Sequence, residues 1–373
     1  MLCNPISLKI GGIELITISL CMIVKNEEEI IDRCLTSVAD LVDEIIIVDT
    51  GSRDNTKKVI EKYNPQIYDF QWTDNFSEAR NYAFSKATKE YILWLDADDI
   101  ILEKDRKKIK VLKEKLDDSI DVVMMKYDLG KDKEASTITF YRERLLKREK
   151  EFKWVEPVHE YIDVSGKIVK VDISITHKKN KERSERNLRI LENYIDNNSE
   201  INPRNYYYYG RELQHLGYYE KAINILEEFL LMDFKHPSFY LDACMDLFKA
   251  YKKLDRKKDA LRSLYKSFEF DLPRAEICCL LGQYYIQEKD YNKAIFWYEM
   301  ALRLEKPETM SFCMPDCYDF TPYIYLSLCH MKLEDYEKAS NYNELASGVK
   351  PNHPAVKKNN IVLALLKKRP SNE

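Results

Sequence analysis

The stretch YILWLDADD, residues 91–99, runs an apolar segment directly into three aspartates. Asp96, Asp98 and Asp99 follow the aromatic and apolar residues 91–95 within four positions. Buried carboxylates this close raise one another's pKa and destabilise the fold unless a cation lies between them. Mg²⁺ and Mn²⁺ prefer such oxygen ligands and keep coordination positions open for phosphates. The stretch therefore predicts a metal and diphosphate site at the end of a buried strand; simple capping of the following turn is the alternative.

Strand and helix patterns alternate on the N-terminal side of this stretch. Residues 15–24, 44–49 and 91–95 have the apolar composition of strands in a parallel sheet. Helical spacing of apolar residues occupies 26–41, where the opening glutamates suit the helix dipole, and helices are also expected at 56–63 and 76–88. This order predicts a Rossmann-like α/β domain with a mostly parallel sheet. Ligands bind at the carboxyl ends of such strands, so Asp49 and Asp96 should converge on one crevice. Shorter strands are expected from 121 to about His177.

Length and composition narrow the class of protein. A chain of 373 residues exceeds one ordinary core and predicts two domains. The net charge of −4 gives no footprint for nucleic acid. The apolar run at 15–24 is shorter than the roughly 20 residues of a membrane helix, and no secretory signal precedes it. Nine cysteines, several of them in apolar segments, predict reduced thiols in a cytoplasmic protein. Cys313 and Cys317 could instead form a metal or redox pair.

The second half of the chain repeats. Four Tyr-, Lys- and Asp-rich turns place alanine at positions 222, 260, 294 and 339, at intervals of 38, 34 and 45 residues. A period near 34 is typical of the tetratricopeptide repeat, a solenoid of stacked helix pairs. We therefore expect an α/β domain at 14–180, a charged linker helix at 181–200 and an all-α solenoid at 201–369. The largest insertion between repeats falls at 305–320. Many tyrosines, Tyr206 to Tyr209 among them, serve either helix packing or ligand contact.

The segments SLCMIVKNEE, EIIIVDTGSRDNT, NFSEARN and YILWLDADD resemble, in order and spacing, those of the family 2 glycosyltransferases. The resemblance covers roughly residues 16–180 and implies the GT-A fold. It also implies a nucleotide-diphosphate sugar donor, expected to be a UDP-sugar, a Mg²⁺ or Mn²⁺ ion, and transfer with inversion at the anomeric carbon.

The resemblance assigns donor and metal roles to particular residues. The backbone of Met22 to Val24 and the Asp49 carboxylate would hold the base and ribose, with Thr50 where many relatives have a second aspartate. Asp96 would face the ribose or sugar and the metal, and Asp98 would coordinate the metal. The remaining donor-side residues are Arg80 and Asn81 near the donor, Arg144 at the diphosphate or in a surface salt bridge, and His177 as a third metal or diphosphate contact.

The segment WVEPVHEYI resembles the loop that faces the acceptor in this family. An inverting transfer needs a base to take the acceptor proton, and Glu160 is the first candidate and Glu156 the second. His159 would orient the acceptor or the base. The alternative for this segment is a solvated turn beside a core histidine.

A catalytic domain followed by a solenoid suggests a peptide or protein acceptor. The combination resembles the bacterial enzymes that glycosylate Cys or Ser of bacteriocin precursors in glycocin biosynthesis. Two alternatives stay open: an envelope saccharide or lipid acceptor, and a non-catalytic interaction protein in which the solenoid alone functions. Repeats also self-associate, so a homodimer is a further alternative.

Overall fold

The computed structural model describes residues 9–10, 13–131, 137–178, 185–198, 200–306 and 314–366. The described residues up to Asn198 form one compact unit, and those from Glu200 form a second. Cys313 lies outside the described residues, as does 307–313 of the expected insertion. All cysteines that the structure describes are buried free thiols.

The first unit is built on an eight-stranded sheet. Its strands and those of two small ribbons are β1 Lys9–Ile10, β2 Ile13–Glu14, β3 Ile18–Val24, β4 Glu44–Asp49, β5 Gln66–Asp69, β6 Tyr91–Trp94, β7 Asp99–Ile101, β8 Val122–Lys131, β9 Thr137–Lys147, β10 Trp154–Val155, β11 Tyr161–Ile162 and β12 Ile168–His177. The helices of this unit are α1 Ile31–Val38, α2 Thr56–Ile60, α3 Phe76–Lys86, α4 Glu103–Lys115 and α5 Arg186–Asn197.

The order of strands in the sheet is β5-β4-β3-β6-β9-β8-β12-β7. The first four strands are parallel, β9 is antiparallel to both its neighbours, β8 and β12 are parallel, and β7 is antiparallel to β12. A mostly parallel sheet with helices between its strands confirms the predicted fold class.

Both faces of the central strands are buried, which explains their continuous apolar composition. Leu20 of β3 packs in a cluster with Ile31 and Leu35 of α1 on one face. The next residue, Cys21, packs with Ala83 of α3 on the other face. Burying one such leucine or isoleucine stabilises the fold by about 1.5–3 kcal/mol. The two helices are thereby fixed on opposite sides of the same strand ends.

Several local predictions were wrong. Helix α1 begins at Ile31, because Asn26 takes a left-handed backbone conformation with φ 53° and the glutamates that follow it form turns. Strands β9 and β12, with 11 and 10 residues, lie within one residue of the strand segments expected between 121 and His177. Helix α4 was not predicted, because its apolar periodicity is weak and Ile109 is its only buried apolar residue. The linker prediction fits a helix, α5, over 186–197.

The described part of the second unit contains four helix pairs and one further helix. These are α6 Pro203–Leu216 with α7 Tyr219–Phe229, α8 Pro237–Lys253 with α9 Lys257–Lys266, α10 Ala275–Gln287 with α11 Tyr291–Arg303, α12 Phe320–Lys332 with α13 Tyr336–Val349, and α14 Pro354–Leu366. The four repeat alanines all lie on the second helix of a pair, and each is at most 1% exposed. Helix pairs in this register confirm the predicted solenoid class.

Small residues let the helices of a pair approach closely. A Cβ atom on Gly282 of α10 would lie 2.6 Å from the Tyr298 ring of α11. Tyr298 itself stacks on Tyr325 of the next pair, with ring centroids 5.2 Å apart. Tyr206 and Tyr207 are also buried, so at these positions the tyrosines pack helix on helix. No helix among the residues described here has the length and apolar character needed to cross a membrane.

Candidate active site

The candidate site lies where the parallel strands end. Val24, the last residue of β3, pairs in register with Asp49, the last residue of β4. Strand β6 lies on the other side of β3 and runs in the same direction, and Asp96 follows it by two residues. Asp49 and Asp96 therefore lie at the same edge of the sheet, as the sequence predicted.

Asp49 is 1% exposed and is held by the turn that follows it. Its Oδ1 accepts hydrogen bonds from the backbone N–H groups of Gly51 and Ser52, both at 2.8 Å. Gly51 has φ +101°, a conformation that favours glycine. No described protein group bonds to the buried Oδ2 of Asp49. A buried carboxylate oxygen without a partner is costly, so this atom is suited to accept a hydrogen bond from a ligand.

Thr50 and the end of β3 form the wall beside Asp49. The Thr50 backbone N–H and hydroxyl both donate to the Val24 carbonyl, at 3.0 and 3.1 Å. Met22 and Val24 are buried in the sheet. The Thr50 hydroxyl is thus committed to the backbone of β3, and at this position the chain has no second carboxylate to offer a ligand.

Asp98, Asp99 and His177 form a cluster that could hold a metal ion. One ligand atom from each lies within 4.8 Å of the others. Asp99 begins β7 and His177 ends β12, and the two residues are paired in register across these strands. Burial alone would lower the pKa of His177, but its hydrogen bonds to Asp98 and Asp99 outweigh that effect and raise the pKa to about 9. The donor set of two carboxylates and one imidazole suits Mn²⁺, and a bound ion would displace the proton of His177.

Asp99 is a site residue that the sequence-based assignment missed. It is fully buried and accepts hydrogen bonds from Tyr127 Oη at 2.9 Å and from the Asp96 backbone N–H at 3.1 Å. Tyr127 Oη also lies 2.9 Å from His177 Nδ1. The same nitrogen lies 3.4 Å from Asp98 Oδ1 and from Asp99 Oδ1, so Tyr127 helps to orient the nitrogen that faces the two acids. The available signal was the third aspartate of the stretch, which lies at the start of a strand rather than in the turn.

Arg144 lies in the core rather than on the surface. Its side chain is 0% exposed, and Nη1 donates to Asp99 Oδ2 and to the Trp94 carbonyl, each at 3.1 Å. The guanidinium lies over the ring of Trp94 at 3.8 Å and over that of Tyr127 at 4.4 Å. The surface salt bridge is therefore wrong, because the ion pair with Asp99 is buried, and the diphosphate contact stays a prediction.

Arg80 of α3 bridges two carboxylates. Its Nη2 donates to Asp96 Oδ1 at 2.8 Å, and its Nε donates to Glu160 Oε1 at 2.7 Å. Burial would raise the pKa of Asp96, but the charges of Arg80 and Arg144 outweigh burial and lower it. Asp96 is therefore an ion-pair partner here, and the structure places Asp99 rather than Asp96 with Asp98 and His177.

The loop between β10 and β11 carries Glu156, His159 and Glu160. Hydrogen bonds from helix α3 hold this loop in place. Asn81 donates through Nδ2 to the Trp154 carbonyl and accepts from the Trp154 N–H through Oδ1, both at 2.9 Å. Asn81 thus holds the loop in place, and its position near the donor stays a prediction. Glu156 and His159 have φ of 74° and 54°. Such strained positions concentrate at functional sites.

Comparison with known proteins agrees with this geometry. Residues 19–168 match the family described as Glycosyl transferase family 2. This domain belongs to glycosyl transferase family 2. Residues 203–236 and 275–307 match tetratricopeptide repeats, so the glycosyltransferase domain is followed by a repeat domain, as predicted.

Individual relatives cover only part of the chain. A TPR repeat-containing protein of Synechococcus elongatus is 37% identical over 156 residues, 41% of this chain and 37% of its own length. The SPbeta prophage-derived glycosyltransferase SunS of Bacillus subtilis is 30% identical over 229 residues, 57% of this chain and 53% of its own. The chain therefore spans about a third to a half of the length of these relatives.

A solved glucosyl-3-phosphoglycerate synthase of Mycobacterium tuberculosis, in complex with Mn²⁺ and UDP-glucose, is 21% identical with a TM-score of 0.26. The matched region covers 30% of this chain and 44% of the synthase chain.

Proposed function

We propose that this protein is a metal-dependent, inverting glycosyltransferase that moves a sugar from a UDP-sugar to a Cys or Ser side chain of a peptide. The observation that carries the proposal is the cluster of Asp98, Asp99 and His177 at the strand ends of a family 2 glycosyltransferase domain. Asp49, with its unpartnered Oδ2, lies at the same edge of the sheet.

Asp98 and His177 would hold Mg²⁺ or Mn²⁺, and Asp99 would support them from the core. When bound, the ion supplies positive charge that stabilises the departing diphosphate. Asp49 accepts a hydrogen bond from the nucleoside through Oδ2, beside the backbone of Met22 to Val24. These residues bind and orient the donor without taking part in bond breaking.

Glu160 acts as the base on the acceptor side. As the acceptor oxygen or sulfur attacks the anomeric carbon, its proton passes to Glu160, the new glycosidic bond forms, and the bond from that carbon to the diphosphate oxygen breaks. Inversion follows from the single displacement. Glu160 is better placed than Glu156 because its carboxylate is held beside Asp96 by Arg80, whereas Glu156 lies on the strained part of the loop. His159, next to Glu160, orients the acceptor.

The tetratricopeptide domain supports a peptide acceptor, because stacked helix pairs present an extended surface suited to an extended chain. The cytoplasm is the proposed compartment, since the described cysteines are buried thiols and such thiols persist in reducing surroundings.

The test uses the purified 373-residue chain, UDP-glucose and UDP-N-acetylglucosamine, with Mn²⁺ or Mg²⁺ or with a chelator. Mass spectrometry follows donor hydrolysis alone and transfer to a peptide that contains Cys and Ser. We expect transfer that needs metal and that is lost in Asp98→Asn. The matched control is Asp172→Asn, an exposed acid of β12 that pairs with Lys108 and Lys126.

Three outcomes would contradict the proposal in different ways. Transfer to a saccharide or lipid acceptor, but not to the peptide, would leave the chemistry and reject the acceptor class. Equal activity in Asp98→Asn and wild type would reject the metal assignment. Peptide binding without hydrolysis or transfer of any donor would favour the interaction protein.

A further inference from the structure

The two halves of the proposed site meet at one side chain. Asp96 lies at the strand ends with the donor-side residues, and Glu160 lies on the acceptor loop. Both carboxylates bond to the guanidinium of Arg80, through Nη2 and Nε respectively. A single planar group with fixed donors can hold two acids in one geometry, and a lysine ammonium cannot reproduce that arrangement.

Arg80 has little freedom to leave this position. Its guanidinium carbon lies 5.3 Å from the centre of the Trp94 ring and 4.7 Å from that of Trp154. The two indoles contact each other edge to face, with centroids 4.7 Å apart. The side chain of Arg80 is 9% exposed, and that of Glu160 is 12% exposed. Aromatic rings at these distances confine a guanidinium, and they strengthen its charge interactions because they exclude water.

Helix α3 fixes the acceptor loop to the same frame. The Phe76 N–H donates to the Pro157 carbonyl at 2.8 Å, and the Ser77 hydroxyl donates to the Glu156 carbonyl at 2.5 Å. Asn81 holds Trp154 with two further bonds. The loop that carries Glu160 therefore cannot move relative to Arg80 without breaking several hydrogen bonds.

We propose that Arg80 is a positioning residue that assembles the base and the donor-side acid as one unit and keeps Glu160 aimed at the acceptor. The inference rests on the proposed function, because Glu160 needs this role only if an acceptor loses a proton there. It adds a specific role for Arg80: the residue orients Glu160 on the acceptor side as well as Asp96 on the donor side.

Other charged groups near Glu160 are few among the described residues. Arg142 of β9 lies close enough for its charge to interact with Glu160, but it pairs with Glu143 at 3.3 Å. His159 is the neighbour of Glu160 in the loop, and Asp96 lies on the far side of Arg80. Arg80 is thus the cation that bonds directly to Glu160.

The experiment compares the kcat of sugar transfer in wild type, Arg80→Lys and Arg80→Gln, each also combined with Glu160→Gln. Each single Arg80 variant should lose about 10-fold or more in kcat, because neither side chain can hold both acids through one planar group. In the Glu160→Gln background the same substitutions should cost little further, because Arg80 acts through Glu160.

A second readout needs no activity. Urea midpoints of the substrate-free variants show whether a loss of transfer reflects a loss of folding. The matched control is Lys86→Gln at the end of the same helix, whose charge lies over the rings of Tyr68 and Tyr82, and its transfer should match that of wild type.

Two results would overturn the inference. One is an Arg80→Gln substitution that lowers kcat by the same factor with and without Glu160→Gln, which is the behaviour of a merely structural residue. The other is transfer by Arg80→Lys at the wild-type rate. Absence of transfer in wild type would instead reject the proposed function, and it is seen before any variant is made.

Discussion

Replacing Arg144 by methionine distinguishes a core residue from a donor-binding residue. The ion pair of Arg144 with Asp99 is 0% exposed on both sides, and its Nη1 lies 3.1 Å from Asp99 Oδ2. Removing one partner of a buried pair leaves an uncompensated charge and costs about 3–5 kcal/mol. Methionine fills much of the arginine stem, so the cavity term is small. We expect the free energy of unfolding to fall by about 3–5 kcal/mol.

Urea unfolding followed by tryptophan fluorescence measures this change. Trp72, Trp94 and Trp154 lie in the first unit and Trp297 in the second, so a Trp297→Phe background makes the signal report on the glycosyltransferase domain. The control is Lys126→Met on β8, whose exposed pair with Asp172 should contribute less than about 1 kcal/mol.

A double-mutant cycle completes the test of Arg144. Adding Asp99→Asn to Arg144→Met removes the charge that the single variant leaves unpaired, so part of the stability should return. A loss below about 1 kcal/mol together with abolished sugar transfer would refute the core assignment, since it would mean that Arg144 reaches the donor.

Three further predictions concern the metal cluster, the base and the repeats. Because the pKa of His177 is about 9 in the fold and about 6.5 unfolded, its protonated form stabilises the metal-free protein fully below pH 6.5, and that contribution is lost as the pH rises through 9. Metal-free urea midpoints should show this loss in wild type and not in His177→Gln. Glu160→Gln should lower kcat by about 10²–10⁴-fold with donor affinity by calorimetry unchanged; a normal rate would move the base elsewhere. Gly282→Ala should destabilise the repeat domain by about 1–3 kcal/mol, measured by the thermal unfolding of Trp297 fluorescence, because its Cβ would lie 2.6 Å from Tyr298. An unchanged midpoint would mean that the pair of helices separates at little cost.

The apolar periodicity of the sequence predicted the strands and the acids that follow them. It did not predict which partner each acidic side chain contacts. The acids at 49, 96 and 98 were found because each follows a run of apolar strand residues. The division of labour among the aspartates was not predictable, because it depends on which acid meets Arg80 and which meets Arg144, contacts between residues 16 and 45 positions apart.

Asn81 and α4 show two other limits of sequence reasoning. Asn81 belongs to a motif that suggested a ligand contact, and only the position of Trp154, 73 residues later, reveals that its amide holds a loop. The buried residues of helix α4 are Ile109 and Asp105. Its sequence therefore lacks the apolar periodicity that predicts a helix.

The contact between Gly282 and Tyr298 bears on how this array could be re-engineered. The Tyr298 ring leaves no room for a side chain at position 282, so the large ring at 298 requires glycine at 282. Twelve residues before Ala260, the corresponding place in the preceding pair holds Phe248, which is 3% exposed. One helix pair of the repeat domain therefore cannot simply replace another. Anyone grafting its surface onto another scaffold would have to transplant 275–303 as a single block.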